Sequence, residues 1–160
     1  MTQQRDTAPQ DLTIENTLQL DRQLCFALYT AANRMTRLYR PFLDKLGITY
    51  SQYLTLLVLW ENDDLQVGEI GSALGLDSGT LTPLLKRLET AGIVMRRRDP
   101  QDERRVRVSL TDQGKALRSD VEDIPVQVAC QLALPLEELM QLYLLNCFVN
   151  VVPIYKLMRT

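Results

Sequence analysis

The sequence predicts a mainly α fold with a small β-wing: a winged helix-turn-helix whose N- and C-terminal helices form a dimerisation domain. Three observations carry that expectation. Leu81, Leu84, Leu85 and Leu88 recur at helical spacing within SGTLTPLLKRLET, directly after a shorter helical stretch and a Gly-Leu-Asp turn. Two strand-like runs follow, Ile93 to Arg98 and Arg105 to Leu110, joined by Asp99-Pro100-Gln101-Asp102. Finally, the segment from Leu136 to Met158 is apolar on nearly every face, which demands burial on more than one side. One small winged helix cannot cover it, so a second copy is expected to.

Taken in order, the polar stretch 1–16 reads as a flexible tail with no apolar signal core. Asp21 is the expected N-cap of a first helix running to about Leu46, ended by Gly47. Pro41 should kink it. Thr49 or Tyr50 precedes a second helix, about Ser51 to Glu61, which Asn62-Asp63-Asp64 closes. Residues 65–67 can add a short strand to the wing. Glu69 to Leu74 is a short helix ending at Gly75. Asp77 or Ser78 caps the next helix, and Gly92 takes the left-handed position after it. Thr111 caps a fifth helix, Asp112 to about Gln131, bent at Pro125. Leu134-Pro135 breaks the chain before the last helix. The division expected is a tail at 1–16 and one domain at 17–160. Dimerisation helices occupy about 17–47 and 112–158, around a winged region at about 50–110.

The winged region carries the chemistry. The face opposite the leucine stripe holds Gly79, Thr82, Pro83, Lys86 and Thr90, flanked by Thr80 and Arg87. It is small, hydroxylic and basic, which suits close approach to a major groove. Pro83 lies past the free first turn and should remove one helical hydrogen bond. From Lys86 to Arg107 there are eight basic residues (Lys86, Arg87, Arg96, Arg97, Arg98, Arg104, Arg105, Arg107) against four acidic ones (Glu89, Asp99, Asp102, Glu103). A solvated amphipathic helix beside a charged hairpin is the plainer account of such a run. Helix, turn and basic wing in this order point instead to double-stranded DNA. Ser78, Gly79, Thr80, Thr82, Lys86 and Arg87 on the helix, with Arg97, Asp102, Arg104 and Arg105 on the wing, are the candidate contacts.

Composition narrows the alternatives. The chain has 160 residues and a formal net charge of −2. That balance argues against a generally basic coat protein, yet leaves room for a local basic face, because charges beyond a Debye length are screened. There is no histidine. Histidine-dependent nucleophilic catalysis and imidazole metal sites are therefore absent, and no phosphate-binding glycine loop or dinucleotide fingerprint is present. No cofactor and no metal are expected. No stretch reaches the length of a membrane span, so a cytoplasmic protein is expected.

Three cysteines remain. Cys25 falls in the first turn of the first helix, where free N–H groups and the helix dipole favour a thiolate. An inert apolar cysteine is the plain alternative. Cys130 is ambiguous, and Cys147 reads as core packing.

The segment DPQDERRVRVSLTDQG resembles the wing signature of the MarR family, and the resemblance extends over nearly the whole chain. LCFALY, RLYRPFLDKLGITYSQYL and LGLDSGTLTPLLKRLE are similar to the organic-hydroperoxide-sensing, OhrR-like branch. The resemblance implies that Cys25 is a peroxide-reactive thiol, hydrogen-bonded by Tyr39 and Tyr50 of the other subunit. It also implies that Cys130 resolves the sulfenate as an intersubunit disulfide, and that Arg104, braced by Asp102, enters the minor groove. A phenol beside a thiolate would activate it without histidine. Phe26 and Tyr29 are expected to line an apolar peroxide pocket.

The resulting expectation is a cytoplasmic homodimeric repressor on a pseudo-palindromic operator, released when an organic hydroperoxide oxidises Cys25. The competing expectations are a MarR-type repressor released by a phenolic ligand and a thiol peroxidase enzyme.

Overall fold

The computed structural model describes residues 18–132. The expected last helix, Cys147 and the expected tail at 1–16 lie outside them. Nine elements of regular structure follow in order: α1 (Leu24–Leu43), α2 (Tyr50–Glu61), β1 (Leu65–Gln66), α3 (Val67–Leu74), α4 (Ser78–Thr90), β2 (Val94–Arg98), β3 (Val106–Leu110), α5 (Asp112–Val121) and α6 (Ile124–Gln131).

The start of α1 departs from the sequence reading. Asp21 is not its N-cap. Leu20–Arg22 form a separate 3₁₀ turn, and the helix begins after Gln23, whose side chain caps nothing. Cys25 is thus the second residue of α1, with free amides around it. Leu43 is the last α-helical residue, because Asp44–Leu46 tighten into a 3₁₀ turn before Gly47 turns left-handed at φ 68°. Pro41, just upstream, has no N–H to give the Arg37 carbonyl.

Helix α2 starts one residue earlier than expected, behind a reciprocal capping box. The Gln52 amide donates to Thr49 Oγ1 at 3.4 Å, and the Thr49 amide donates to Gln52 Oε1 at 2.8 Å. Its deepest face is Tyr53, Leu56 and Leu59, with Gln52 and Thr55 beside them, while Leu57 is exposed. Helix α3 likewise starts early, at Val67, with Gln66 and Glu69 as its capping box. Gly92 is left-handed, as the sequence predicts, and Gly75, expected to end its helix, is left-handed as well.

The sheet has the order β1-β3-β2, all antiparallel. Val94 pairs with Leu110 and Arg98 with Val106, so Val94, Val108 and Leu110 turn inward, with Arg97 and Arg107 on the other face. The inner face meets Leu81, Leu85 and Leu88 of α4, Ile70 of α3, and Leu56 and Leu59 of α2 in one continuous core. Burying each such side chain contributes about 1.5–3 kcal/mol. Leu84 is only half-buried, so three of the four leucines in the stripe form the true core contact.

The expected fifth helix is two helices. Pro125 would clash with the Val121 carbonyl in a continuous helix, so α5 stops at Val121, and Pro125 falls in the first turn of α6, where a missing N–H costs nothing. Helix α5 is locked onto the wing by close backbone contact. A Cβ on Gly114 would overlap the Ile93 carbonyl. Trp60 Nε1 donates to the Gly114 carbonyl at 2.9 Å. Thr111 caps α5 through the Gly114 amide and donates to the Gly92 carbonyl at 2.6 Å.

Candidate nucleic-acid interface and thiol site

Helix α4 presents its polar face to solvent. Ser78, Gly79, Thr80, Thr82, Lys86 and Arg87 are all exposed. Asp77 caps the helix. Its carboxylate accepts from the Thr80 amide at 2.9 Å and the Thr80 hydroxyl at 3.0 Å, and those bonds hold it below the usual carboxylate range. The Thr82 hydroxyl donates to the Ser78 carbonyl at 2.6 Å. Both threonine protons are therefore spent within the helix, and the outward oxygens are acceptors, suited to amino groups on base edges. Lys86 and Arg87 form no ion pair among the described residues. A cleft of about 370 Å³ runs between α4 and the wing, walled by Ser78 and Thr82 on one side and Arg104 and Arg105 on the other.

Arg98 donates to the Glu103 carbonyl at 2.8 Å, and the other five wing arginines divide into two groups. Arg96 is held by Glu89 of α4 at 2.8 Å on the inner face. Arg97 and Arg107 converge from the outer face on Asp64, at 2.8 Å and 3.1 Å to Oδ2, and Arg107 also donates to the Asp64 carbonyl. Asp99, itself held low by the Gln101 amide, gives Arg107 a second carboxylate at 3.5 Å. Burial pulls the Arg107 guanidinium down, but Asp64 and Asp99 more than offset it and leave its pKa raised. Asp64 adopts φ 57° to make this corner, and its Oδ1 is buried without a partner among the described residues. Its neighbour Asp63 accepts from the Leu110 amide at 2.8 Å.

At the tip the arrangement is more open. Arg104 is 91% exposed, with its Nε 3.1 Å from Asp102 Oδ1; Arg105 Nε is 3.2 Å from Asp102 Oδ2. These two guanidiniums, Arg104 first, hold Asp102 below the usual carboxylate range. The structure thus places Arg104, Arg105 and Asp102 together beside α4, while Arg97 is turned away to Asp64. The Asp64 corner escaped the sequence reading, since its partners stand 33 and 43 residues away. The only local trace of it was Asn62-Asp63-Asp64 closing a helix.

The tyrosine cluster lies at the opposite end of α2, and the two thiols stand on α1 and α6. Cys25 and Cys130 are free and exposed. The apolar positions near Cys25 are exposed as well: Leu24 is 74% and Leu28 63% accessible. Tyr39, Tyr50 and Tyr53 form a ring cluster, with centroids of 4.9 Å between Tyr39 and Tyr50 and 5.8 Å between Tyr39 and Tyr53. Burial raises all three phenol pKa values, that of Tyr53 to about 12, so each remains an O–H donor at neutral pH. A cavity of about 500 Å³ opens between α1 and the start of α2, with Tyr29 and Tyr50 among its walls. Phe26, Cys25 and Tyr39 do not line it. Cys25, Tyr29, Asn33, Thr36 and Arg40 nevertheless follow one another at helical spacing, so Cys25 stands on the α1 face that runs down into the cavity. Among the described residues no cluster could hold a metal ion.

Comparisons with known proteins place this geometry. The family described as transcriptional regulator SarA/Rot matches residues 37–121. The chain is 53% identical over 108 residues to the organic hydroperoxide resistance transcriptional regulator of Bacillus subtilis (strain 168), covering 68% of this chain and 74% of that one. AbfR of Staphylococcus epidermidis has been solved in several states. Its reduced, DNA-bound form is 35% identical with a TM-score of 0.68, covering 87% of this chain and 98% of AbfR. Its disulfide form is 39% identical with a TM-score of 0.60, covering 81% and 93%.

Proposed function

The chain belongs to the winged-helix transcriptional regulators of the SarA/Rot and MarR type, and from that premise we propose a homodimeric repressor whose grip on DNA is switched by oxidation of Cys25. The observation that carries the reading is Cys25 itself: an exposed thiol in the first turn of α1, on the face that leads into a cavity walled by tyrosines. The Bacillus subtilis relative is named for organic hydroperoxide resistance, and AbfR exists both reduced on DNA and with a disulfide formed.

In the reduced dimer, α4 enters the major groove, and Arg104 reaches the adjacent minor groove, at each half of a pseudo-palindrome. Phenol hydroxyls of Tyr39 and Tyr50, supplied by the other subunit, donate to the Cys25 sulfur. The thiolate attacks the outer oxygen of a hydroperoxide. The O–O bond breaks, an S–O bond forms, and the alkoxide leaves and takes a proton to become an alcohol. The Cys130 thiolate then attacks the sulfenate sulfur, and hydroxide leaves as water, giving an intersubunit disulfide. The strained dimer favours a state in which the two α4 helices no longer match successive grooves.

The reading includes one domain at 17–160 behind a tail at 1–16. No helix among the described residues is long and apolar enough to cross a membrane. A reversible thiol switch needs a reducing compartment, which supports the cytoplasm.

An operator-binding titration with reduced and peroxide-treated protein tests the reading. Loss of affinity on treatment, restored by dithiol and absent in Cys25→Ser, is expected. Release by a phenolic ligand with every thiol still free would overturn it in favour of a ligand sensor. Sustained peroxide turnover would overturn it in favour of an enzyme.

A further inference from the structure

DNA binding as described above has no use for Pro83. It stands inside α4, exposed, on the polar face with Gly79, Thr82 and Lys86. A proline in a helix interior supplies no N–H to the carbonyl four residues back, and its ring crowds that carbonyl. Here the carbonyl belongs to Gly79. Among the described residues no side chain donates to it in place of the missing amide. Gly79 is itself exposed and has no side chain to cover the group. A backbone acceptor with spare capacity therefore opens on the face of α4 turned to solvent.

We propose that the Gly79 carbonyl, released by Pro83, is a base-reading acceptor that takes the exocyclic amino group of an adenine or a cytosine in the major groove. The inference rests on the DNA reading above and deepens it by naming the base chemistry. The neighbouring side chains on this turn are acceptors too. Thr82 donates its hydroxyl proton to the Ser78 carbonyl at 2.6 Å, and Thr80 donates its own to Asp77 at 3.0 Å. In the major groove the donors are adenine N6 and cytosine N4, while guanine presents O6 and N7 and thymine presents O4. An edge made of acceptors therefore selects bases that carry an amino group.

The spacing suits the duplex. Gly79 and Thr82 are three residues apart, about 4.5 Å along the helix axis, and base pairs are stacked about 3.4 Å apart, so the two acceptors can serve neighbouring pairs. Donors come later on the same helix, from Lys86 and Arg87, which form no ion pair among the described residues. Helix α4 thus has an acceptor end and a donor end, and its direction on a half-site follows from where the amino groups lie. Pro83 touches no base in this assignment. It is a positioning residue that keeps the carbonyl free.

The test uses the full-length reduced dimer and an operator selected from a random duplex library. Amino groups are deleted from it one at a time, adenine being replaced by purine and cytosine by 2-pyrimidinone. The parent protein should lose about three- to tenfold in affinity at one such position in each half-site, the factor set by one neutral hydrogen bond; whether that position is an adenine or a cytosine identifies the base. Pro83→Ala returns an N–H to the Gly79 carbonyl. That amide should be protected from hydrogen exchange, and affinity for the intact operator should fall by the same factor, with non-specific duplex bound as before. The penalty for deleting the amino group should vanish in Pro83→Ala, and penalties elsewhere should stay. Equal penalties at every position in parent and variant overturn the proposal while leaving DNA binding through α4 standing. If the penalty that vanishes follows a thymine methyl, seen on replacing thymine by uracil, Pro83 reads through its ring and the carbonyl role is overturned. If the parent selects no duplex, this proposal and the DNA reading fall together.

Discussion

At the scale of single residues, the wing tip and the tyrosine cluster have opposite electrostatic problems. Asp102 keeps Arg104 and Arg105 close without burying them, so Arg104 remains available to phosphate or minor groove. Arg104→Ala should weaken operator binding and flatten its salt dependence, in a plot of log affinity against log salt, by about 0.9 for each phosphate no longer neutralised. The dimer should stay folded, because the side chain is 91% exposed. The tyrosines, by contrast, are phenols in or against the core, Tyr53 buried and Tyr39 and Tyr50 half-buried, and their raised pKa values tie stability to alkaline pH. The folded chain retains the Tyr53 proton until pH about 12, whereas an unfolded phenol loses it near pH about 10. The folded state thus binds more protons in that window, and the contribution, intact below pH 10, is lost as pH rises towards 12. Denaturant midpoints measured from pH 8 to 11.5 should fall, and Tyr53→Phe should reduce the slope. The exposed oxygens of Thr80 and Thr82 were readable as small hydroxylic positions. That their protons are already committed was not, because it depends on helix geometry.

At the scale of elements, short-range rules read well where the signal is local. Gly47, Gly75 and Gly92 end their segments in the left-handed conformation, and Thr49, Asp77 and Thr111 cap theirs. The readings that needed correction turned on competition between local options. Asp21 had the chemistry of a cap, but the chain spent it in a 3₁₀ turn. Pro125 could bend one helix or start another, and the Val121 carbonyl decided for the second. Helix α5 offers a measurable pair of changes. Thr111→Ala removes a cap and should cost about 1–2 kcal/mol in denaturant unfolding. Gly114→Ala should cost more, about 3 kcal/mol, because the added methyl meets backbone at Ile93 and cannot be relieved by a rotamer change. Its Trp60 fluorescence should shift as well, since the indole N–H donates to Gly114.

At the scale of the whole molecule, the exposed apolar front of α1 shows that one copy is incomplete among the described residues, and the apolar C-terminal stretch lies outside them. Sequence periodicity revealed the need for a partner because it counts faces; it gave no pairing, because which faces meet is set by three-dimensional fit. The disulfide switch belongs to this scale. Peroxide should convert the monomer band on a non-reducing gel to a covalent dimer, reversed by reductant. Cys25→Ser should abolish that band. Cys130→Ser should still consume peroxide at Cys25 and drift to over-oxidised forms. Cys147→Ser should behave as the parent. A dimer band that survives in Cys130→Ser and vanishes in Cys147→Ser would identify a different resolving thiol.

The Asp63–Asp64 corner gives this switch a mechanical consequence. Helix α2 has Tyr50 at one end and this acidic corner at the other, which grips Leu110 on β3 and Arg97 and Arg107 on the two hairpin strands. Because these contacts tie the helix to the wing, a rotation of the helix would be passed on to the hairpin. Five strand residues project about 17 Å from the base at about 3.3 Å each. A turn of about 10° at the tyrosine end then carries the tip sideways by about 3 Å, the length of one hydrogen bond. A rotation that small would be hard to see near the thiol, yet it would be enough to lift Arg104 out of a groove.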